Sequence, residues 1–231
     1  MKPSSTAETV RWPRAAVARC LPFFIYMAFL ALNEVLQRLG WSAADTRALY
    51  AVRVGAVVAA LAYFWRDYDE LHRWDLKLLP TLAAVATGIV VLLLWLSLGA
   101  DWMTVGTAGG FDARGADGRL DLPLVAVRIA GAALVVPVME ELFWRSFLMR
   151  WLDNPRFATI LPQAVSLRAI AISSVLFGIE HNLWLAGIVA GLAYALLYRW
   201  QRSLWSAVLA HAVTNGLLGA FVVFTGSWQY W

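Results

Sequence analysis

Seven stretches of this chain are so long and so apolar that only lipid, or one another, could cover them. A helix rises 1.5 Å per residue, so about 20 mainly apolar residues cross a hydrocarbon core about 30 Å thick. Candidate spans run over 20–37, 48–65, 78–99, 124–149, 168–182, 183–199 and 204–225. Of the whole chain, 61% is hydrophobic and 15% charged, whereas roughly a quarter of a soluble domain is charged. Backbone polar groups in a bilayer must be paired internally. The fold class implied is therefore all-α, a polytopic transmembrane helical bundle of about seven spans. The fifth and sixth spans nearly touch, which predicts a tight helical hairpin. The stretch 106–121, rich in Gly and Asp, reads as an exposed loop, and 153–166 is a second polar link carrying Pro155 and Pro162. This organisation divides the chain into 1–123, with a tail, three helices and the outer loop, and 124–225.

The basic residues set the orientation. With the N-terminus inside and seven spans, the outer segments hold only Arg38, Arg47, Arg114 and Arg119, while Arg53 and Arg128 fall within spans. The rest of the 19 Lys and Arg lie on the inner side, among them Lys2, Arg11, Arg14 and Arg19 of the tail. Such a bias predicts a cytoplasmic N-terminus in an integral membrane protein, with the bacterial inner membrane as the expected location. The net charge of +4 follows from this topology, so nucleic acid is not an expected partner. Instead of a small-residue cleavage site, Leu32-Asn33-Glu34 follows the first apolar run, which predicts an uncleaved span. The aromatic residues Trp65, Tyr68, Trp74, Tyr198, Trp200 and Trp205 flank apolar runs as interfacial belts do. One cysteine, Cys20, excludes an intramolecular disulfide and a cysteine-based metal site.

Ionisable groups inside spans cost about 2.5–3.5 kcal/mol each on insertion scales and so point to function. Three segments supply them: Met139-Glu140-Glu141-Leu142-Phe143-Trp144-Arg145, Phe177-Gly178-Ile179-Glu180-His181-Asn182 and His211-Ala212-Val213-Thr214-Asn215. Measured from Arg150, Arg168 and Arg202 as inner edges, Glu140 lies ~15 Å deep, His181 ~20 Å and His211 ~14 Å. Three segments far apart in sequence thus bring their polar groups to a similar depth. Glu141 and Arg145 stand i, i+4 and can pair, leaving Glu140, turned about 100° away, to face elsewhere. That pair also has a purely structural reading. His211 and Asn215, again i, i+4, can face one cavity, and Asn215 alternatively serves as an interhelical hydrogen-bonding residue. Phe177, one turn before His181, packs against it or simply fills the core. Glu180 is expected to be structural or to line a vestibule. Arg53, Arg128 and Asn33-Glu34 are expected to pair between helices. Gly178, Gly187 and Gly191 are positions where helices approach closely.

A carboxylate shielded from water can act as a general base on a water molecule. One histidine can orient that water, while a second histidine and an amide donate to the oxyanion formed at a carbonyl. Glu140, His181, His211 and Asn215 make a complete set for peptide hydrolysis without a nucleophilic Ser or Cys. Glu140, His181 and His211 could equally hold zinc or another divalent metal, although no His-Glu-x-x-His helix is present. A non-enzymatic transporter or scaffold could use the same cluster; the lack of a visible inverted repeat counts against a transporter.

Taken together, Glu140-Glu141…Arg145, Phe177…His181 and His211…Asn215 resemble, in order, the motifs of the CPBP family, the CAAX-protease and bacteriocin-processing membrane peptidases. The resemblance covers roughly 124–225, which it marks as a catalytic helical core. It implies an intramembrane endopeptidase acting on a membrane-embedded or lipid-linked peptide. Glu140 and His181 would activate water, His211 and Asn215 would form the oxyanion site, and Glu141, Arg145 and Phe177 would support them. The family has been viewed both as metal-dependent and as glutamate-based without metal; the expectation taken is no cofactor. The whole-chain pattern, with its Trp228-Gln229-Tyr230-Trp231 end, is also similar to a bacterial subgroup of CAAX prenyl protease-related proteins associated with exosortase sorting. A bacterium lacking protein prenylation would need a different substrate.

Overall fold

A computed structural model describes residues 13–106, 110–115 and 117–231, without the side chains of 43–45. Lys2 and Arg11 of the basic tail, and part of the 106–121 loop, lie outside the described residues. The described residues form seven helices: α1 (Arg14–Arg38), α2 (Ala43–Tyr63), α3 (Leu78–Ser97), α4 (Leu122–Trp151), α5 (Leu167–Ile179), α6 (Trp184–Gln201) and α7 (Leu204–Thr225). No β-strand occurs among them beyond the isolated bridge between Arg114 and Leu120. Helices α1, α2 (over Thr46–Tyr63), α3, α4 and α7 are long and apolar enough to cross a membrane. Their outer faces carry exposed residues such as Leu78, Leu79, Leu93 and Phe224, which water would penalise and lipid does not. The molecule is thus an all-α bundle of an integral membrane protein.

The expected fifth span differs in length. α5 has 13 residues, about 20 Å of helix, too short to cross. Its tip lies within the bundle, and the connection after α3 folds in to meet it. Val105 N–H donates to Asn182 O at 2.8 Å, and Asn182 Nδ2 donates back to Val105 O at 2.9 Å. Trp184 Nε1 donates to Trp102 O at 3.3 Å. These bonds satisfy the non-helical backbone between α5 and α6, the condition for such backbone at membrane depth. His181 therefore sits just past the end of α5, in this turn, and not on an unbroken helix.

The hairpin closes through glycines, as the spacing predicts. A Cβ at Gly187 would stand 2.9 Å from Gly178 Cα and 3.3 Å from His181 Cβ. Gly187→Ala is therefore expected to lower stability by about 1–3 kcal/mol, the usual cost of overpacking. The same shift would disturb His181. Thermal unfolding in detergent, alongside peptide turnover, checks both.

α4 is irregular where it carries the acidic pair. It begins on Asp121, whose Oδ1 accepts from Leu124 N at 3.0 Å. It then widens into π-helical turns over Gly131–Val135 and Leu142–Leu148, on either side of an α-helical segment Val136–Glu141. Pro137 lacks an N–H and would collide with the carbonyl four residues before it in a regular helix; the wider turn relieves this. Ala132 O instead accepts a hydrogen bond from Asn215 Nδ2 on α7 at 2.9 Å.

Near the start of α1, that helix, α4 and the connection after α2 are tied by one polar knot. Arg19 Nη2 lies 2.6 Å from Glu70 Oε2, Arg19 Nε donates to Ser146 Oγ at 2.8 Å, and the Ser146 hydroxyl donates to Glu70. Burial pushes the Glu70 carboxyl up, but the Arg19 charge and the Arg19 and Ser146 hydrogen bonds outweigh it and hold it below its ordinary 4.5. A carboxyl with a lowered folded pKa stabilises fully above its unfolded value and loses that contribution as pH falls through the folded one. Glu70→Gln is expected to cost about 1–2 kcal/mol at neutral pH. The gap to wild type should shrink below pH 4.5; unfolding measured across pH tests this.

Candidate active site

The site forms where the middle of α4 faces the tip of α5 and the centre of α7. Glu140, Glu141 and Arg145 come from α4, His181 from the turn after α5, and His211 from α7. Glu141 and Arg145 are fully enclosed, at 0% and 1% side-chain exposure, with Arg145 Nε 3.0 Å from Glu141 Oε2. The pair is a charge contact, not an aligned hydrogen bond, since neither of those atoms has a hydrogen-bond partner. Arg145 instead donates through Nη2 to Gly191 O at 3.0 Å and lies over the Phe177 ring at 4.7 Å.

Glu141 does more than hold Arg145. Its Oε1 is 2.9 Å from His211 Nδ1, so one carboxylate links the cation on its own helix to the histidine on α7. The other ring nitrogen, His211 Nε2, stands 4.0 Å from Glu140 Oε2, and that carboxylate oxygen is buried without a hydrogen-bond partner. The His211 ring stacks on Tyr194 at 5.0 Å. Tyr194 OH donates to Thr214 Oγ1 at 2.7 Å, and Thr214 Oγ1 in turn lies 2.9 Å from Gly88 O on α3.

His181 joins through Phe177. Its Nδ1 is 2.7 Å from Phe177 O, a carbonyl that can only accept, so Nδ1 carries the proton and Nε2 presents its lone pair. The Phe177 ring lies 4.7 Å from His181 and 6.1 Å from His211, and Trp95 meets His181 edge-on at 5.3 Å. Phe177 is thus the wall shared by both histidines and by Arg145. Asn215, four residues after His211, gives one amide hydrogen to Ala132 O and so ties α7 to α4.

The sequence gives no site role to Trp144, Tyr194 or Thr214, and leaves Glu180 as structural or vestibule-lining. Glu180 is close enough to Glu140 for their charges to interact, and Trp144 interacts with Glu180. Arg145 Nη1 and Glu140 Oε2 are buried without a hydrogen-bond partner, as groups awaiting a water, an ion or a catalytic role are. Tyr194 stands seven residues after Gly187 and three after Gly191, on the glycine-bearing face of α6; that spacing was the available clue. Thr214 lies within the third motif, between His211 and Asn215.

Among the described residues, no three His, Cys, Asp or Glu side chains converge as a metal set would. Each of the two histidines has Nδ1 engaged, by Phe177 O and by Glu141, which leaves its Nε2 open.

Fold and site together define a helical membrane protein with a buried Glu/His constellation inside the bundle. Residues 122–217 match the family model of type II CAAX prenyl endopeptidase Rce1-like proteins. That segment runs from the start of α4 into α7 and contains Glu140, Glu141, Arg145, Phe177, His181, His211 and Asn215. Through it the chain is similar to the CAAX protease family of intramembrane endopeptidases, which are hydrolases. No curated protein and no solved structure matches the chain.

Proposed function

We propose that this endopeptidase uses Glu140 as the general base on water, together with His181, and stabilises the oxyanion with His211 and Asn215. The observation that carries the reading is the unpartnered Glu140 Oε2 facing His211 Nε2 across 4.0 Å. A water oxygen about 2.8 Å from each spans that gap with ordinary hydrogen-bond lengths. Glu140 takes a proton as the water oxygen bonds to the carbonyl carbon, and the C=O electron pair moves onto oxygen. The C–N bond then breaks, and the proton held by Glu140 passes to the leaving amine. His181 Nε2, unprotonated because Nδ1–H faces Phe177 O, is an acceptor suited to orienting the water. His211 has Nδ1–H committed to Glu141, so its Nε2, when protonated, is the donor available to the oxyanion. The second amide hydrogen of Asn215 supplies another.

The substrate we assign is a membrane-embedded or lipid-linked peptide, because the reactive groups sit at bilayer depth in a chain whose family acts on membrane-associated proteins. The basic inner segments support a cytoplasmic N-terminus in a bacterial inner membrane. We take 124–225 as the catalytic core, and read the chain's finer likeness as one to the exosortase-associated subgroup. The mechanism proposed needs no metal. Turnover of a peptide library by purified protein, with metal content measured on the same sample, tests it. Stoichiometric zinc and loss of activity to a chelator would replace the glutamate mechanism with a zinc one on Glu140, His181 and His211.

A further inference from the structure

A second polar region lies nearer the outer ends of α2 and α4. A cavity of about 880 Å³ opens between α1, α2, the first turns of α4 and residues 110–112. Arg53 of α2 and Arg128 of α4 both line it. Arg53 is only 7% exposed, and its Nε has no hydrogen-bond partner. The two guanidiniums flank one ring, Tyr50, at 4.8 and 4.4 Å, and are close enough for their charges to repel. Tyr26 lies 4.3 Å from Arg53, and Phe111 4.7 Å from Arg128.

The interhelical pairing expected for these arginines is not what the structure shows. Glu34 pairs with Arg38 on its own helix at 2.8 Å, and Asp112 pairs with Arg114 at 2.6 Å. Among the described residues no carboxylate lies within ion-pair distance of Arg53 or Arg128. Aromatic faces attract a cation but accept few of its N–H donors. Two like charges side by side, Arg53 buried and Arg128 half-buried, are costly unless an anion meets them.

We propose that this cavity binds an oxyanion of the phosphate class, its oxygens shared between Arg53 and Arg128. Two separate guanidinium forks need more acceptors than the two oxygens of a carboxylate, and a phosphate has them. The volume exceeds that of a bare ion, and Phe29, Leu30 and Phe111 line the same space, which suits a phosphate that carries an apolar chain. Arg128 precedes Glu140 by 12 residues, about 18 Å along α4, while Asn182, next to His181, also lines the cavity.

Thermal unfolding of the full chain, purified in a phosphate-free detergent buffer, tests this with three probes: inorganic phosphate alone, dihexanoyl phosphatidic acid, and hexanoate. The expected result is a saturable rise in midpoint with phosphatidic acid and none with hexanoate. The half-saturating concentration should rise about tenfold or more in Arg53→Gln and in Arg128→Gln. Without ligand, either variant should unfold no earlier than wild type, because one of two repelling charges is gone. Arg53→Lys, which keeps the charge and loses the fork, carries the comparison should a glutamine variant fail to fold. Glu140→Gln should keep the full shift, so the result does not depend on the catalytic assignment. A shift with phosphatidic acid alone identifies a lipid head group; equal shifts with phosphate identify a free anion. No shift in wild type, an equal shift with hexanoate, or an unchanged shift in the arginine variants overturns the proposal.

Discussion

Glu140→Gln is expected to lower peptide turnover by about 10³-fold or more while leaving the fold intact, since positioned general bases contribute about 10²–10⁴ and this one has no substitute with a free oxygen on His211. Glutamine keeps the shape and one acceptor but cannot take the proton of an attacking water. It also removes a buried charge that Arg145 does not pair with: the Arg145 charge contact goes to Glu141. Stability should therefore be equal to wild type or higher, which separates this variant from one that merely unfolds. Turnover within threefold of wild type in a well-folded Glu140→Gln protein would sink the assignment. His211→Ala is expected to fall by a smaller factor, about 10²–10³, the size seen on removal of one oxyanion donor.

Much of this geometry was legible because a bilayer makes depth readable. Glu140, His181 and His211 stand at distances from basic edge residues that translate into similar heights, and the structure brings Glu140 and His211 within 4.0 Å. His181 was harder. Its height follows from the sequence only if α5 continues, whereas α5 stops at Ile179 and Asn182 beyond it is held by Val105. That bond joins positions 77 residues apart, and nothing in the local pattern of either segment reports it. The π-helical turns of α4 were equally hidden, although Pro137 marked where a regular helix would lose a hydrogen bond. Periodicity sees neighbours on one helix, so it found Glu141–Arg145. It could not find Glu141–His211, because facing across helices depends on how α4 and α7 rotate. The same blindness made Arg53 and Arg128 look like interhelical partners of acidic residues, when Glu34 is taken by its own i, i+4 neighbour.

Glu141 is where stability and activity can be pulled apart. Glu141→Leu leaves Arg145 buried at 1% exposure without a counter-charge, and breaking a buried pair in this way costs about 3–5 kcal/mol. It also frees His211 Nδ1, so the ring is no longer held to one tautomer and one orientation. Removing the carboxylate behind a catalytic histidine costs about 10⁴ in turnover where the same arrangement serves serine proteases; a loss of about 10²–10⁴ is expected here. The double variant Glu141→Leu/Arg145→Met removes both charges and restores apolar volume against Phe177. Replacement of a whole buried ion pair by apolar residues is often neutral or stabilising, so the double variant should recover most of the stability lost in Glu141→Leu. Its turnover should stay as low as the single variant's, because His211 still lacks its acceptor. Thermal unfolding and turnover measured on the same three proteins decide the matter. If activity returned together with stability, Glu141 would be only the partner of Arg145; if it stayed low, the carboxylate acts through His211.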